Sequence, residues 1–208
     1  MNFRSAMVWG VTAVAIVATV VALALASAHG PGRFPARELR TANEPPPIRL
    51  TDQAGQPVDL AALRGKVVML TAVYATCPHT CPIIMAEAKR VVAALSPNQR
   101  ADLAVIAVTI DPAHDTPEVL ARFADMHGLE SPLWHLVTGE VSEVEQTLDR
   151  MGIARTRDPG TGVIDHANLL MLVDRGGRLA YSFTMGPKQE PWLRAALKQL
   201  LAERVQPA

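Results

Sequence analysis

The only two cysteines in this 208-residue chain stand four positions apart, in the stretch Cys77-Pro78-His79-Thr80-Cys81. They follow the apolar run 67–74, which predicts a buried strand, and precede a segment with apolar residues at helical spacing, 83–95. The start of a helix favours negative charge and therefore the thiolate form of cysteine. Because side chains at i and i+4 share a helix face, the two sulfurs can bind a soft metal ion or join as a disulfide.

Several kinds of chemistry fit this cysteine pair. Dithiol–disulfide exchange is usual for C-x-x-C motifs, and the spacing here is one residue wider. Structural zinc needs four Cys or His ligands, which this chain is less suited to supply. Copper fits better, because Cu(I) is soft, prefers thiolate and accepts few ligands, and a Cys2His set also suits Cu(II). A peroxidase site is a weaker interpretation, since no arginine is suitably placed in the sequence.

The predicted secondary structure places the thiols at the end of a strand. Two continuous apolar runs, 67–74 and 103–110, predict strands that are buried on both faces. Turns are predicted at 158–162 and 174–177, and a break at 96–99. Helices are predicted over about 79–95, from Thr116-Pro117 to about His127, from Ser142 to about Met151, and from Pro191 to about Val205, with Thr116 and Ser142 as N-caps. This order predicts an α/β fold with a mixed sheet flanked by helices, and a thioredoxin-like core fits it.

A copper site of this kind needs a third ligand, and the chain has six histidines. His166 is the best candidate, because it lies in a predicted polar loop, 164–168, that abuts the thiol helix in a thioredoxin-like fold. Redox proteins of that fold usually have a cis-proline in this loop, and no proline occurs between Thr161 and Met185. His114 is predicted at the same end of the sheet as the cysteines, and His79 lies between them. Structural or linker positions are assigned to the others, His29, His127 and His135.

The amino-acid composition excludes some classes of function and structure. Twenty Lys and Arg residues balance twenty Asp and Glu residues, so no basic face is implied and nucleic acid is not an expected partner. A hydrophobic content of 49% is enough for a real core. Two cysteines are too few for a disulfide scaffold, which favours a functional site over a structural disulfide.

The N-terminal segment is predicted to reach the membrane. Residues 6–28 carry no charge, and about 23 apolar residues can cross the hydrocarbon core as a helix. Arg4 then stays in the cytoplasm and the rest of the chain is exported. Ala26-Ser27-Ala28 also resembles a signal-peptidase site, so residues 1–28 are predicted as a membrane anchor or a signal peptide. In both cases the cysteines face an oxidising or redox-managed compartment, the periplasmic side of an inner membrane.

The predicted tether and folded domain follow this segment. Residues 29–47 are rich in Gly, Pro and Arg and end in Glu44-Pro45-Pro46-Pro47, which is typical of a stiff polyproline II linker. Residues 48–208 are predicted to form one copper-binding domain with a thioredoxin-like fold.

Four motifs, in this order, resemble the Sco/SenC/PrrC family, and the resemblance covers about residues 45–203. They are Tyr74-x-x-Cys77-Pro78-x-x-Cys81-Pro82, Thr109-Ile110-Asp111-Pro112-x-x-Asp115-Thr116-Pro117, Trp134-x-x-x-Thr138-Gly139, and Asp165-His166 followed by Leu172-Val173-Asp174. Members of this family are membrane-anchored, thioredoxin-like copper proteins that serve assembly of the dinuclear copper centre of cytochrome c oxidase.

The resemblance implies a copper chaperone whose ligands are Cys77, Cys81 and His166. Its implied partners are the copper-site subunit of the oxidase and an upstream copper donor. The alternative implied by the family is a thiol–disulfide reductase, in which Cys77 and Cys81 form a redox-active disulfide that keeps the oxidase cysteines reduced. Family aspartates proposed to assist metal handling or partner docking fall on Asp111 and Asp115, where helix capping and turn formation explain them equally well.

Two positions depart from the family pattern. His79 stands where an acidic residue is common, and His114 stands where arginine is common. Both changes add an imidazole near the predicted site. These imidazoles are predicted either to act as auxiliary ligands or, as the sequence favours, to be neutral surface variation.

Overall fold

The computed structural model describes residue 41 and residues 43–77, 80–184 and 189–203, with the backbone alone for residues 80–82. The predicted anchor (1–28), most of the predicted tether and His79 lie outside the described residues. Within the described ranges, no helix combines the length and the apolar character needed to cross a bilayer.

Nine strands and five α-helices make up the described fold. The strands are β1 (Arg49–Asp52), β2 (Pro57–Asp59), β3 (Val67–Val73), β4 (Leu103–Thr109), β5 (Trp134–Thr138), β6 (Arg155–Arg157), β7 (Ile164–His166), β8 (Leu169–Val173) and β9 (Leu179–Thr184). The helices are α1 (Thr80–Ala93), α2 (Pro97–Ala101), α3 (Pro117–His127), α4 (Val141–Arg150) and α5 (Glu190–Ala202), with a 3-10 turn at Leu60–Leu63.

Seven of these strands form one mixed sheet in the order β2-β1-β5-β4-β3-β8-β9. β4 is parallel to β3 and β5, whereas β8 is antiparallel to β3 and β9 is antiparallel to β8. Every residue of β3 and of β4 is buried, which requires cover on both faces of the sheet. The predicted mixed α/β sheet with flanking helices is confirmed.

The register of the parallel strands determines which loops meet. Val73, the last residue of β3, pairs with Thr109, the last residue of β4. The loop that carries Cys77 and the loop 110–116 therefore leave the sheet side by side at the same edge.

Several helix boundaries differ from the prediction. The predicted break at 96–99 contains α2, because Ser96 and Gln99 cap each other's backbone N–H groups and Pro97 starts the helix. The predicted Ser142 cap is wrong: α4 already begins at Val141. Its buried face, rather than a capping side chain, determines where it packs. The Thr116 cap of α3 is confirmed, since the Thr116 hydroxyl accepts the N–H of Val119 (3.4 Å).

The last part of the predicted tether contacts the folded domain. The N–H of Thr41 donates to the carbonyl of Ala180 (2.9 Å), and the N–H of Leu179 donates to the carbonyl of Asn43 (2.9 Å). Ile48 is fully buried. Contacts thus begin before the predicted boundary at 47/48, because an edge strand has unpaired backbone groups that an extended segment can bind.

Candidate metal centre

Cys77 lies in a short turn between β3 and α1. Its backbone N–H donates to the carbonyl oxygen of Tyr74 (3.3 Å), which closes the turn over residues 74–77. The Cys77 side chain is half-buried. The backbone of Cys81 lies in the first turn of α1, so the cysteines do occupy the junction of a strand and a helix.

His166 lies at the end of β7, in a small two-stranded sheet with β6. The prediction of a loop at 164–168 is therefore wrong for its first three residues, which pair with β6 and place His166 opposite Arg155. The carboxylate of Asp158 holds the hairpin tip by accepting the N–H groups of Gly160 (3.0 Å) and Thr161 (2.6 Å). Such local side-chain bonds let a polar sequence turn back on itself, and the hairpin fixes the backbone of His166.

Tyr74 joins the cysteine turn to the histidine strand. Its side chain is 2% exposed, and its hydroxyl oxygen accepts the backbone N–H of Ile164 (3.3 Å). Its ring also meets the His166 ring edge-on, with centroids 6.1 Å apart and an interplanar angle of 80°. The sequence suggested no such role, because these contacts span 90 and 92 positions.

The hydrogen bond of His166 determines which ring nitrogen can bind a metal. Nδ1 lies 3.2 Å from the carbonyl oxygen of Ala167. A carbonyl only accepts, so Nδ1 carries the proton in this contact and Nε2 of the neutral ring has the lone pair. This is the arrangement by which metal-binding histidines are usually oriented.

Asp111 and His114, two of the predicted auxiliary residues, contact each other. One carboxylate oxygen of Asp111 lies 2.8 Å from Nδ1 of His114 and 2.6 Å from a guanidinium nitrogen of Arg157. Asp111 is buried, whereas the His114 side chain is 67% exposed. The ion pair therefore links the loop after β4 to the hairpin that carries His166, which argues for a structural role of Asp111.

No sequence pattern indicates the arginine contacts of the hairpin. Arg155 pairs with Glu145 and with Asp149 (2.9 Å), both on α4. Arg155 and Arg157 thus hold the hairpin to two neighbouring elements. The residues Arg155-Thr156-Arg157 are polar throughout and too few for an apolar–polar alternation, so the sequence carries no local signal of this strand or of its partners.

Asp115 lies against the cysteine turn. Its carboxylate accepts the hydroxyl of Thr109 (2.5 Å) and the backbone N–H of Ala75 (3.2 and 3.3 Å to its two oxygens). Burial raises the pKa of Asp115 above its ordinary value. The hydrogen bonds from Thr109 and Ala75 oppose this shift, and the nearby charges of Asp111 and His114 respectively raise and lower the pKa.

We expect the Asp115→Asn variant to gain stability relative to the natural chain as pH rises. Below the ordinary pKa of 3.8 both folded and unfolded chains hold this proton; between that value and the raised folded pKa only the folded chain does. The free energy of unfolding of the natural chain therefore falls as pH rises through that interval, and asparagine does not titrate. Urea denaturation of both proteins from about pH 3 to pH 7 measures the difference. A difference that stays constant or shrinks with pH would contradict this expectation.

The structure brings together part of the predicted site. The turn of Cys77 and the strand of His166 meet through Tyr74, whereas Asp111 contacts His114 and Arg157, the latter on the same hairpin as His166. Among the described residues, no group of three His, Cys, Asp or Glu side chains forms a metal-binding cluster. The side chain of Cys81 and all of His79 lie outside the described atoms, so the three-ligand set stays a prediction.

Comparison with known proteins identifies relatives over most of the chain. A family model described as SCO1/SenC matches residues 37–202. A SCO2-like protein of Rickettsia typhi is 30% identical over 142 residues, which are 65% of this chain and 68% of that protein.

Solved structures share the fold. Bradyrhizobium japonicum ScoI with copper bound superposes with a TM-score of 0.65 at 28% identity, covering 76% of this chain and 99% of that one. A structure of BsSco, a member of the Sco family of cytochrome c oxidase assembly proteins, has a TM-score of 0.64 at 23% identity, covering 78% and 95% of the two chains. At that identity the second similarity shows the fold alone. Because the family model covers most of the chain, this protein belongs to the SCO1/SenC family.

Proposed function

We propose that this chain is a copper chaperone that binds copper as cargo and delivers it to the dinuclear copper site of cytochrome c oxidase. Its family membership and the copper-bound structure of ScoI support copper as the cargo. The observation that carries the proposal is the contact of Tyr74 with Ile164 and His166, which holds the two predicted ligand segments together.

The proposed ligands are the thiolates of Cys77 and Cys81 and Nε2 of His166. This set suits both oxidation states, because thiolate stabilises Cu(I) and a Cys2His set also accommodates Cu(II). Cys77 and His166 are both half-buried, so a partner's ligands can approach while the metal is still held. Copper enters from an upstream donor and leaves by ligand exchange with the copper-site subunit of the oxidase.

We expect His166→Ala to weaken copper binding by about 10- to 100-fold, since the variant keeps the thiolates but lacks the third ligand. Anaerobic titration of the reduced full chain with Cu(I), in competition with a chelator of known affinity, measures the change. The same titration with Cu(II) shows whether the imidazole matters more for one oxidation state.

The matched control for this experiment is His114→Ala. That variant also removes an imidazole from this end of the sheet, but His114 contacts Asp111 and its side chain is 67% exposed. Copper affinity should be unchanged. Equal copper affinities of His166→Ala and the natural chain would rule out the three-ligand site. If only His114→Ala lost affinity, His114 and not His166 would be the third ligand.

A thiol–disulfide reductase is the second candidate, and the position of the cysteines at a helix start favours it. In that reaction the two thiolates give up two electrons and form the Cys77–Cys81 disulfide, while an oxidised cysteine pair of the oxidase copper site takes up two electrons and two protons. A reductase assay on the oxidised copper-site peptide, with the reduction potential of the cysteine pair, distinguishes the candidates. A copper-binding chain without reductase activity is a chaperone alone.

We further propose that residues 1–28 anchor the chain in the inner membrane and that the folded domain acts on the periplasmic side. The uncharged run 6–28 and the charge of Arg4 support this orientation. Protease added to intact spheroplasts should digest the domain, and protection until lysis would reverse the assignment.

A further inference from the structure

Asp115 is a buried carboxylate whose contacts point to the cysteine turn. It is 1% exposed, so a protein partner cannot contact it. Both of its oxygens accept hydrogen bonds, from the N–H of Ala75 and the hydroxyl of Thr109. Ala75 stands two residues before Cys77, and Thr109 ends the neighbouring strand β4.

Helix capping does not explain this residue. The cap of α3 is Thr116, whose hydroxyl accepts the N–H of Val119. The main chain around Asp115 forms a tight turn instead, in which the N–H groups of His114 and Asp115 both donate to the carbonyl of Asp111 (3.0 and 2.8 Å). This turn directs the Asp115 side chain back toward the end of β3.

Two of the hydrogen bonds of the cysteine turn hold its backbone in place. The first is the hydrogen bond from Cys77 N–H to the Tyr74 carbonyl, which closes the turn from within. The second is the bond from Ala75 N–H to Asp115, which ties the turn to the end of β4. Without the carboxylate, the Ala75 N–H group loses its hydrogen-bond acceptor in the loop 110–116 after β4. The cysteine turn is then no longer attached to that loop by this hydrogen bond.

We propose that Asp115 is a positioning residue of the thiol site: by holding the Ala75 amide, it presets the backbone from which Cys77 presents its sulfur. The inference rests on the proposed function, since it assumes that Cys77 binds copper. It assigns to Asp115 neither a bond to the metal nor contact with a partner, in contrast to the auxiliary role expected from the family resemblance.

The test compares Asp115→Ala with Asp115→Asn in the full chain. Asparagine keeps an oxygen that accepts the Ala75 N–H, whereas alanine keeps none. We expect Asp115→Ala to lower Cu(I) affinity about 10-fold, as loss of ligand-orienting contacts commonly does, and Asp115→Asn to retain the natural affinity. The Cu(II)–thiolate charge-transfer band should shift or weaken in the alanine variant alone.

Asp52→Ala is the matched control. Asp52 is also buried, and its carboxylate accepts the N–H groups of Ala54 and Gln56 (both 2.9 Å). It pairs with His135 of β5, and it lies on β1, which β5 and β4 separate from β3 in the sheet. Urea denaturation should show destabilisation of Asp52→Ala, while its copper affinity and spectrum should match those of the natural chain.

The outcomes separate the two claims. If the natural chain itself binds no copper, the proposed function fails. If it binds copper and Asp115→Ala binds equally well, the positioning role is wrong. Asn and Ala variants with equally weakened binding would also overturn it, because the negative charge and not the hydrogen bond would then be responsible. If Asp115→Ala does not fold, amide hydrogen exchange at Ala75 in Asp115→Asn decides: protection as in the natural chain is expected, and its loss refutes the anchor.

Discussion

Replacing one sulfur, as in Cys77→Ser, should lower the Cu(I) affinity of the reduced chain by at least about 100-fold. A serine hydroxyl is a hard donor that stays protonated at neutral pH, whereas the proposed copper site needs a soft thiolate. The same loss is expected for Cys81→Ser, since two thiolates are required to hold Cu(I) against competing thiols. Competition titration under anaerobic conditions measures both values, and oxidase activity in cells carrying each variant reports delivery.

The control for the cysteine variants lies in the same turn. Thr76 is exposed and stands next to Cys77, so Thr76→Ser perturbs the turn without removing a thiolate. It should bind copper like the natural chain. Tight copper binding by either cysteine variant would exclude a site built on both sulfurs. Restoration of oxidase assembly by Cys77→Ser would rule out copper delivery through this pair.

Truncation of a core side chain should have the largest effect on stability. Leu70 lies in the middle of β3, is fully buried, and pairs with Ile106 of β4 and Met171 of β8. Leu70→Ala leaves a cavity between strands that cannot collapse, so the free energy of unfolding should fall by about 2–5 kcal/mol. Urea denaturation followed by circular dichroism measures the fall.

Met126→Ala is the matched control for the core variant. Met126 is 75% exposed on α3, and its truncation should change the free energy of unfolding by no more than about 0.5 kcal/mol. The folded fraction of Leu70→Ala should still bind copper, because β3 ends three residues after position 70 and the cysteine turn lies beyond it. Equal stabilities of the two variants would show that β3 is not the centre of the core.

The hairpin of β6 and β7 shows where sequence patterns reach their limit. Each strand has only three residues, too few for an alternating pattern to separate a strand from a polar loop. The hairpin exists because Asp158 closes its tip and because Arg155 pairs with α4. Neither Arg155 nor its partners carries a local signal of pairing, since any exposed arginine would look the same in the sequence.

The sequence by itself determined the main strands, four of the five described α-helices and the position of the two cysteines. Apolar runs of seven residues specify buried strands such as β3 and β4, and the pair Thr116-Pro117 specifies the start of α3. These features are local, because periodicity and capping involve residues a few positions apart. The resemblance to the family likewise depended on short motifs, and the SCO1/SenC match confirms it.

Tertiary structure alone decided how the site is held together. Tyr74 reaches the strand of His166 across 90 positions, Asp115 holds Ala75 across 40, and Arg157 pairs with Asp111 across 46. Such contacts depend on which loops leave the sheet at the same edge, and that follows from strand order and register. The cysteine pair was therefore recognisable from the sequence, whereas the residues that position it became visible only once the sheet had brought their loops together.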